Sequence, residues 1–227
     1  MFDFSPFFDS FDEILQGFWA TIRLAAAAAV LSLIIGTVLA SFRVAPVPVL
    51  RAFGTGYVSI VRNTPLTLVL LMCSLGLNDI LALKFSSTSS VTYYWWAVLG
   101  LSAYTGAFVC ETLRSGINTV PLGQAEAARS IGLTFTQSLR MIIMPQAFRA
   151  IIAPMGSVLI AMIKNTTVAA AASYAEVALV TKTIVDKPTF SNGVIPLFLG
   201  VAVGFLILTL PTGYFFGWLA KRMAVAR

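Results

Sequence analysis

The sequence predicts an all-α, polytopic membrane protein with about five transmembrane helices, forming one domain over residues 1–227. Of these residues, 58% are hydrophobic and only 11% are charged, whereas soluble domains carry about 25% charged residues. Several apolar runs reach the roughly 20 residues that one helix needs to cross a bilayer. Helices are the expected spanning elements because a helix satisfies its own backbone hydrogen bonds in lipid.

The five crossings follow from the apolar runs in chain order. They are predicted at residues 18–40, within 49–83 (most clearly 66–83), at 93–113, from near Ile151 onward, and at 194–219. Residues 49–83 and 151–180 are each too long for one simple crossing and too short for two with a turn. Since each contains a polar interruption, at 62–65 and at 164–167, we expect broken, tilted or partly interfacial helices there.

The basic residues predict how the chain is oriented. Lys and Arg concentrate on the cytoplasmic side of membrane proteins. With five crossings and the C-terminus inside, three basic residues face outward, Lys84, Lys182 and Lys187, and two, Arg23 and Lys164, fall within crossings. The remaining ten face the cytoplasm: Arg43, Arg51, Arg62, Arg114, Arg129, Arg140, Arg149, Lys221, Arg222 and Arg227. We therefore predict a multi-pass membrane protein with its N-terminus outside and its C-terminus inside. This bias explains the net charge of +6 without a nucleic-acid partner.

A polar, helix-prone segment, residues 122–145, separates two strongly apolar stretches. Residues 124–131 are expected to form a short helix, and Gly132 suits the left-handed position that follows a helix end. Thr134 and Gln137 have the spacing of a capping box that begins a second helix, and Pro145 is expected to end or kink it. The segment thus predicts a helix–turn–helix against the cytoplasmic membrane surface.

Two interpretations of this helix–turn–helix are open from spacing alone. Small Ala127 and Ala128 would let a partner protein approach closely, with Glu126, Arg129 and Arg140 as its charge contacts. An ordinary amphipathic connection at the membrane interface would have a similar composition.

Residues 122–145 resemble the EAA loop of permease subunits in ATP-binding-cassette (ABC) importers, the loop that docks into the ATPase. The matching pattern is Glu126-Ala127-Ala128, then Gly132, then Ile142 and Pro145, with Met144 in place of the usual leucine. Four further stretches resemble the polar-amino-acid branch of these permeases, namely 62–66, 114–117, 120–124 and 164–167. Within that branch, residues 113–131 and 208–213 are similar to actinobacterial glutamate-uptake permeases.

The resemblance implies the transmembrane-domain fold of type I ABC importers, a location in the bacterial cytoplasmic membrane, and a set of partners. These are a dimer of ATPase subunits, which hold ATP and Mg, a second homologous permease subunit, and an extracytoplasmic amino-acid-binding protein. It implies no cofactor on this chain, and it implies a polar amino acid as solute, with glutamate first and glutamine, aspartate or a basic amino acid as alternatives. The residues expected to couple to the ATPase are Gln124, Glu126, Ala127, Ala128, Arg129, Gly132 and Pro145.

Catalytic motifs are missing from the sequence. There is no G-x-x-x-x-G-K-[ST] phosphate-binding loop, so ATP hydrolysis must come from another polypeptide. There is no histidine and no CxxC pair, which excludes the usual metal and Ser-His or Cys-His sites. A channel or an ion-coupled carrier would need no ATPase, but five crossings are few for a complete carrier.

The two polar interruptions are the candidate solute site. Charged residues within a crossing cost about 2.5 kcal/mol or more unless they face a partner or a watery cavity, and transporters place substrates at broken helices. The candidate residues are Arg62, Asn63, Thr64, Lys164, Asn165, Thr166 and Thr167, together with Glu111.

Structural roles compete with solute binding at these residues. Arg62 could extend to the cytoplasmic surface, and Lys164 could pair with Glu111 or Glu176. Glu111 could equally pair with Arg114, three residues further along its helix.

Two further patterns concern helix packing and depth. The pairs Gly200/Gly204 and Gly213/Gly217 have GxxxG spacing, which favours close packing against another helix. The run Tyr93-Tyr94-Trp95-Trp96 is typical of the aromatic belt at a membrane interface, here the outer one.

Overall fold

The computed structural model describes residues 4–188, 190 and 193–223, and every regular element in these ranges is a helix. Arg227, counted on the cytoplasmic side, lies outside them. The ten α-helices are α1 (Ser5–Asp9), α2 (Phe11–Val44), α3 (Pro48–Asn63), α4 (Leu66–Leu71), α5 (Ser89–Asn118), α6 (Leu122–Ser130), α7 (Phe135–Ser138), α8 (Met144–Asn165), α9 (Val177–Val185) and α10 (Val194–Met223). Two π-helical segments, Met72–Ile80 and Leu139–Ile143, and one 3-10 segment, Thr166–Ala172, extend them.

Four helical stretches of the described chain can each cross a membrane: Phe11–Val44, Ser89–Asn118, Phe135–Ala172 and Val194–Met223. The pair Pro48–Asn63 and Leu66–Ile80, bent by 104° between its two helices, is together long and apolar enough for a fifth crossing. The prediction of about five transmembrane helices is therefore confirmed.

The sharp bend lies at the first polar interruption. Pro65 disfavours helical backbone at the residue before it, and Thr64 is extended, with φ −95° and ψ 135°. Pro65 also has no backbone N–H to donate a helical hydrogen bond. For both reasons α3 ends at Asn63 and α4 begins at Leu66. The predicted broken helix is present here.

The second interruption also breaks a helix. The 3-10 segment Thr166–Ala172 follows α8 and ends at Ser173, which has a left-handed φ of 60°. Glu176 is fully buried and caps α9, accepting hydrogen bonds from the backbone N–H of Ala178 at 2.9 Å and Leu179 at 3.0 Å. Among the described residues Lys164 pairs with neither Glu176 nor Glu111, so both of those alternatives are wrong for this structure.

The start of the fourth crossing corrects the predicted boundary near Ile151 and excludes one of the two alternatives for Pro145, that it ends the helix. The helix does not end at Pro145. It continues from α7 through the π-helical turn Leu139–Ile143 into α8, where Pro145 occupies the first turn. Pro145 directly follows the π-helical turn, where the regular α-helical hydrogen-bond pattern is already interrupted, so the N–H group that proline lacks is not needed to continue it. The crossing therefore starts well before Ile151, where only the continuous apolar run begins.

The core forms where α2 and α5 run side by side in the same direction. Ser102 Oγ lies 3.4 Å from the carbonyl oxygen of Ala28, and a side chain at Gly36 or Gly106 would overlap the facing helix. The second halves of both broken helices, α4 and the 3-10 segment, pack into the same cluster. Its fully buried members include Leu24, Ala28, Leu70, Leu101 and Ala169.

The two tryptophans of the aromatic run at the outer end of α5 have different surroundings. Trp95 is exposed, as an interfacial belt requires, but Trp96 is buried and its Nε1 donates to the carbonyl of Leu83 at 3.0 Å. Trp96 is thus a packing residue, because the chain segment before α5 folds back over it with Phe85 against its ring.

The first GxxxG pair packs against aromatic rings. A Cβ at Gly200 would overlap Phe7, and one at Gly204 would overlap Phe18. The pair therefore serves close helix packing, as predicted. At the second pair, a Cβ at Gly217 would meet nothing within 4 Å, so this spacing forms no comparable contact in the described chain.

We expect Gly204→Ala to lower stability and Gly217→Ala not to. Overpacking against Phe18 should cost roughly 1–3 kcal/mol, whereas alanine at the open Gly217 position gains about 1 kcal/mol of helix propensity. The thermal unfolding midpoint of each purified variant in detergent, compared with the wild type, measures these two changes in stability. Equal midpoints for the two variants would contradict the packing assigned to Gly204.

Candidate functional site

A cluster of three charged residues joins α2, α3 and α5. Arg43 Nη1 donates a hydrogen bond to Glu111 Oε1, and Arg62 Nη1 lies 3.7 Å from Glu111 Oε2. The Arg43 side chain is only 8% exposed, while those of Glu111 and Arg62 are 32% and 44% exposed. Arg43 is thus held by the carboxylate, and Arg62 keeps part of its guanidinium free for another anion.

The partner of Glu111 is a correction to the sequence-based expectation. Glu111 pairs with Arg43 and Arg62 and not with Arg114, although Arg114 has helical spacing from it. The parallel packing of α2 on α5 brings Arg43 to the carboxylate, and Arg114 remains exposed. Glu111 lies seven residues before the end of α5, or about 10 Å along the helix axis.

The cluster lines a polar cavity of about 390 Å³. The Arg62 guanidinium also stacks over the Phe108 ring, 5.4 Å from its centroid, in a cation–π contact. The other lining residues are Arg43, Thr55, Val58, Ser59, Asn63 and Glu111. Two arginines and one carboxylate leave this cavity with an excess of positive charge.

A second cavity of about 260 Å³ lies between α5 and α8. Phe108 lines both cavities, and Asn165, from the second polar interruption, lines this one. Its remaining walls are Tyr104, Thr105, Ser157, Val158, Ala161 and Met162. Residues from both interruptions therefore border adjoining cavities that share the Phe108 ring.

The structure separates the other candidate residues from these cavities. Thr166 is fully buried and donates to the carbonyl of Ile163 at 2.7 Å, so a solute cannot reach it in this conformation. The hydroxyls of Thr64 and Thr167 donate to carbonyls of their own helical segments. Lys164 is exposed and lines neither cavity.

Two residues of this site, Arg43 and Phe108, were not predicted from the sequence. Arg43 was counted only for topology, and nothing in the local pattern links it to Glu111, 68 positions away. Phe108 lies in an apolar run where an aromatic residue carries no signal.

The segment 122–145 forms the predicted helix–turn–helix. Helix α6 covers Leu122–Ser130, and Gly132 has a left-handed φ of 85°. The capping box is present, since Gln137 N–H donates to Thr134 Oγ1 at 3.3 Å and Thr134 N–H donates to Gln137 Oε1 at 2.9 Å. The turn is therefore fixed by both backbone conformation and side-chain hydrogen bonds.

The outer surface of this helix–turn–helix has no partner within the described chain. Leu122, Ile131 and Phe135 are each more than 70% exposed, which is typical of a protein contact surface. Glu126, Arg129 and Arg140 are exposed and form no ion pair with any described residue. By contrast, Ala128 is buried and holds α6 against the rest of the segment.

Comparison with known proteins identifies similar sequences over nearly the whole chain. Residues 16–225 match the family model described as "Binding-protein-dependent transport system inner membrane component". The chain is 49% identical to the glutamate transport system permease protein GluC of Corynebacterium efficiens, and 48% identical to that of Corynebacterium glutamicum. Each alignment covers 95% of this chain and 96% of the relative.

A solved structure shares the fold. The crystal structure of an amino acid ABC transporter with histidines superposes with a TM-score of 0.87 at 23% identity, covering 98% of this chain and 99% of that one. At this identity the likeness concerns the fold, and it agrees with the transmembrane-domain fold of ABC importers expected from the sequence.

Proposed function

Because the chain belongs to the family of binding-protein-dependent transport system inner membrane components, we propose that it imports L-glutamate by alternating access, driven by ATP. The chain is an amino-acid ABC permease of a membrane-spanning family, and ATP hydrolysis belongs to a separate subunit. The proposed assembly contains a dimer of ATPase subunits, a second homologous permease and an extracytoplasmic binding protein. The proposed orientation puts the N-terminus outside and the C-terminus inside.

The observation that carries the proposal is the continuity between the exposed helix–turn–helix and a cavity wall. Helix α8 follows α7 without a break, and Ser157, Ala161 and Asn165 at its far end line the 260 Å³ cavity. A push on the 122–145 segment by a closing ATPase would therefore move the cavity wall directly. The proposed contacts with the ATPase are Gln124, Glu126, Ala127, Arg129 and Gly132. Ala128 is buried inside the segment and supports these contacts from behind, and Pro145 lies at the start of the moving helix.

The charge of the larger cavity supports an acidic solute. Arg62 has one guanidinium face on Phe108 and only a 3.7 Å contact with Glu111, so it can bind a carboxylate as a charge-assisted hydrogen-bond donor. Asn63 and Asn165 would orient the amino acid from the two interruptions, and Glu111 would position Arg62. The glutamate transport named in the relatives' descriptions points to the same solute.

Coupling of transport to ATP hydrolysis requires that ATP and the solute bind the two conformations of the importer with different affinities. ATP bound to the ATPase would stabilise the outward-facing state, and hydrolysis would return the permease to the inward-facing state. A ligand shifts such an equilibrium only through its different affinity for the two states. The permease therefore contributes binding and motion, and no covalent chemistry.

Gly132 provides a test of the coupling role. In the reconstituted importer, we expect glutamate-loaded binding protein to stimulate ATPase activity with the wild-type permease and with Gly132→Asn, but several-fold less with Gly132→Val. Asparagine tolerates the left-handed conformation that φ 85° demands, whereas a β-branched residue there is strongly disfavoured. Full stimulation of Gly132→Val would contradict the coupling role of this turn.

A further inference from the structure

A polar cavity of about 440 Å³ lies between α2 and α9, away from the two solute cavities. Glu13, Gln16 and Arg23 line it from α2, and Leu179 and Thr183 line it from α9; Gly17, Ala20, Ala175 and Val180 complete the walls. Glu13 is already paired with Lys187, at 2.6 Å. Arg23 forms no ion pair with any described residue, so the cavity has one uncompensated cation.

The contacts between α2 and α5 fix the depth of this cation. The Tyr94 hydroxyl lies 3.4 Å from the carbonyl oxygen of Arg23, Ser102 is level with Ala28, and Glu111 is level with Arg43. Arg23 therefore lies at the height of the aromatic run at the outer end of α5. In the proposed orientation this is the interface between the outer headgroups and the hydrocarbon.

The exposed face of α2 changes character at Arg23. Trp19, one turn toward the outside, is exposed, and Gln16 lies one turn further out. Toward the membrane interior, Val30, Ile34 and Val38 continue the same helical face and are all exposed. From the outside inward, this face of α2 thus presents the amide of Gln16, the indole of Trp19, the guanidinium of Arg23 and then only apolar side chains. This order matches the change from polar headgroups to hydrocarbon across one bilayer leaflet.

We propose that this cavity binds an outer-leaflet phospholipid, with the lipid phosphate on Arg23 and the acyl chains along Val30, Ile34 and Val38. Charge complementarity selects a phosphate because Arg23 is the cation left without a counter-charge, and a guanidinium forms paired hydrogen bonds with phosphate oxygens. An apolar protein surface would satisfy the stripe but would leave the cation unpaired in a region where an unpaired charge is costly. The inference concerns this chain's lipid contacts and does not depend on which solute it transports.

The test titrates dioctanoyl phosphatidylglycerol into the delipidated importer complex in detergent and counts bound lipids by native mass spectrometry. We expect Arg23→Gln to weaken binding of the site's lipid about tenfold, the loss of one strong charged hydrogen bond. Arg23→Lys should retain most of the affinity because it keeps the charge. The matched control is Lys182→Gln, which removes another cation from the same side of the protein, one that is exposed and paired with Asp186; its binding should equal the wild type.

Four results would overturn the proposal. Equal lipid binding by wild type and Arg23→Gln would show that Arg23 does not hold the headgroup. Binding of dioctanoylglycerol as tight as that of the phospholipid would remove the role of the phosphate, and displacement of the lipid by inorganic phosphate would make the cavity a free-anion site. Efficient photo-cross-linking to the second permease of Trp19→Cys labelled with a thiol-reactive benzophenone, in native membranes, would show that a protein covers this face.

Discussion

Replacing Arg62 by glutamine is expected to reduce ATP-dependent glutamate uptake by the reconstituted importer roughly tenfold or more. A hydrogen bond to a charged group contributes about 1.5–3 kcal/mol, and each 1.4 kcal/mol is about a factor of ten in affinity. Because Arg62 lines the 390 Å³ cavity, is 44% exposed and has only a 3.7 Å contact with Glu111, its guanidinium is the proposed ligand of the solute carboxylate. Uptake of labelled glutamate into proteoliposomes measures the effect.

Two variants sharpen this prediction. Arg51→Gln removes an exposed arginine from the same helix but outside the cavity, and its uptake should match the wild type. Arg62→Lys keeps the charge but loses the planar, bidentate guanidinium and its stacking on Phe108, so its uptake should be intermediate. Wild-type glutamate uptake by Arg62→Gln would remove Arg62 from the solute site.

Replacing Glu111 by glutamine is expected to lower the stability of the folded protein. The substitution leaves the nearly buried Arg43 without its counter-charge. Breaking a fully buried ion pair costs about 3–5 kcal/mol, while exposed pairs contribute about 0–1 kcal/mol. For a pair in which Arg43 is 8% and Glu111 32% exposed, we expect a loss of roughly 1–3 kcal/mol, measured as a lower thermal unfolding midpoint.

The matched control for Glu111→Gln is Asp186→Asn, which breaks the Lys182–Asp186 pair, exposed on both sides. Its unfolding midpoint should be almost unchanged. The double variant Arg43→Gln/Glu111→Gln should lose less stability than the sum of the two single variants, since neither charge is then left alone. Strict additivity would show that the two side chains do not interact in the folded protein.

Much of the fold followed from local sequence features. The left-handed conformation of Gly132, the Thr134 capping box and the break before Pro65 were each predicted because a few neighbouring residues determine them. The positions of the crossings followed from apolar length. The extent of α8 did not, because its first turns lie in the polar segment and a π-helical turn lets the helix pass through Pro145.

The candidate site was predicted less completely, because it depends on contacts between distant helices. The interruptions were correctly placed at helix breaks, but the pairing of Glu111 with Arg43 depends on the parallel packing of α2 against α5. Local spacing favoured Arg114 instead. Likewise, the hydroxyls of Thr64, Thr166 and Thr167 are engaged within their own helical segments, which a pattern of polar residues does not reveal.

The central claim, ATP-driven glutamate import through this permease, is tested most directly by transport in proteoliposomes. The chain would be reconstituted with its ATPase, the second permease and the binding protein, and uptake of labelled glutamate followed with and without ATP. Our account predicts ATP-dependent accumulation that excess unlabelled glutamate blocks and arginine does not. Accumulation that needs no ATP, or that arginine blocks more strongly than glutamate, would contradict it.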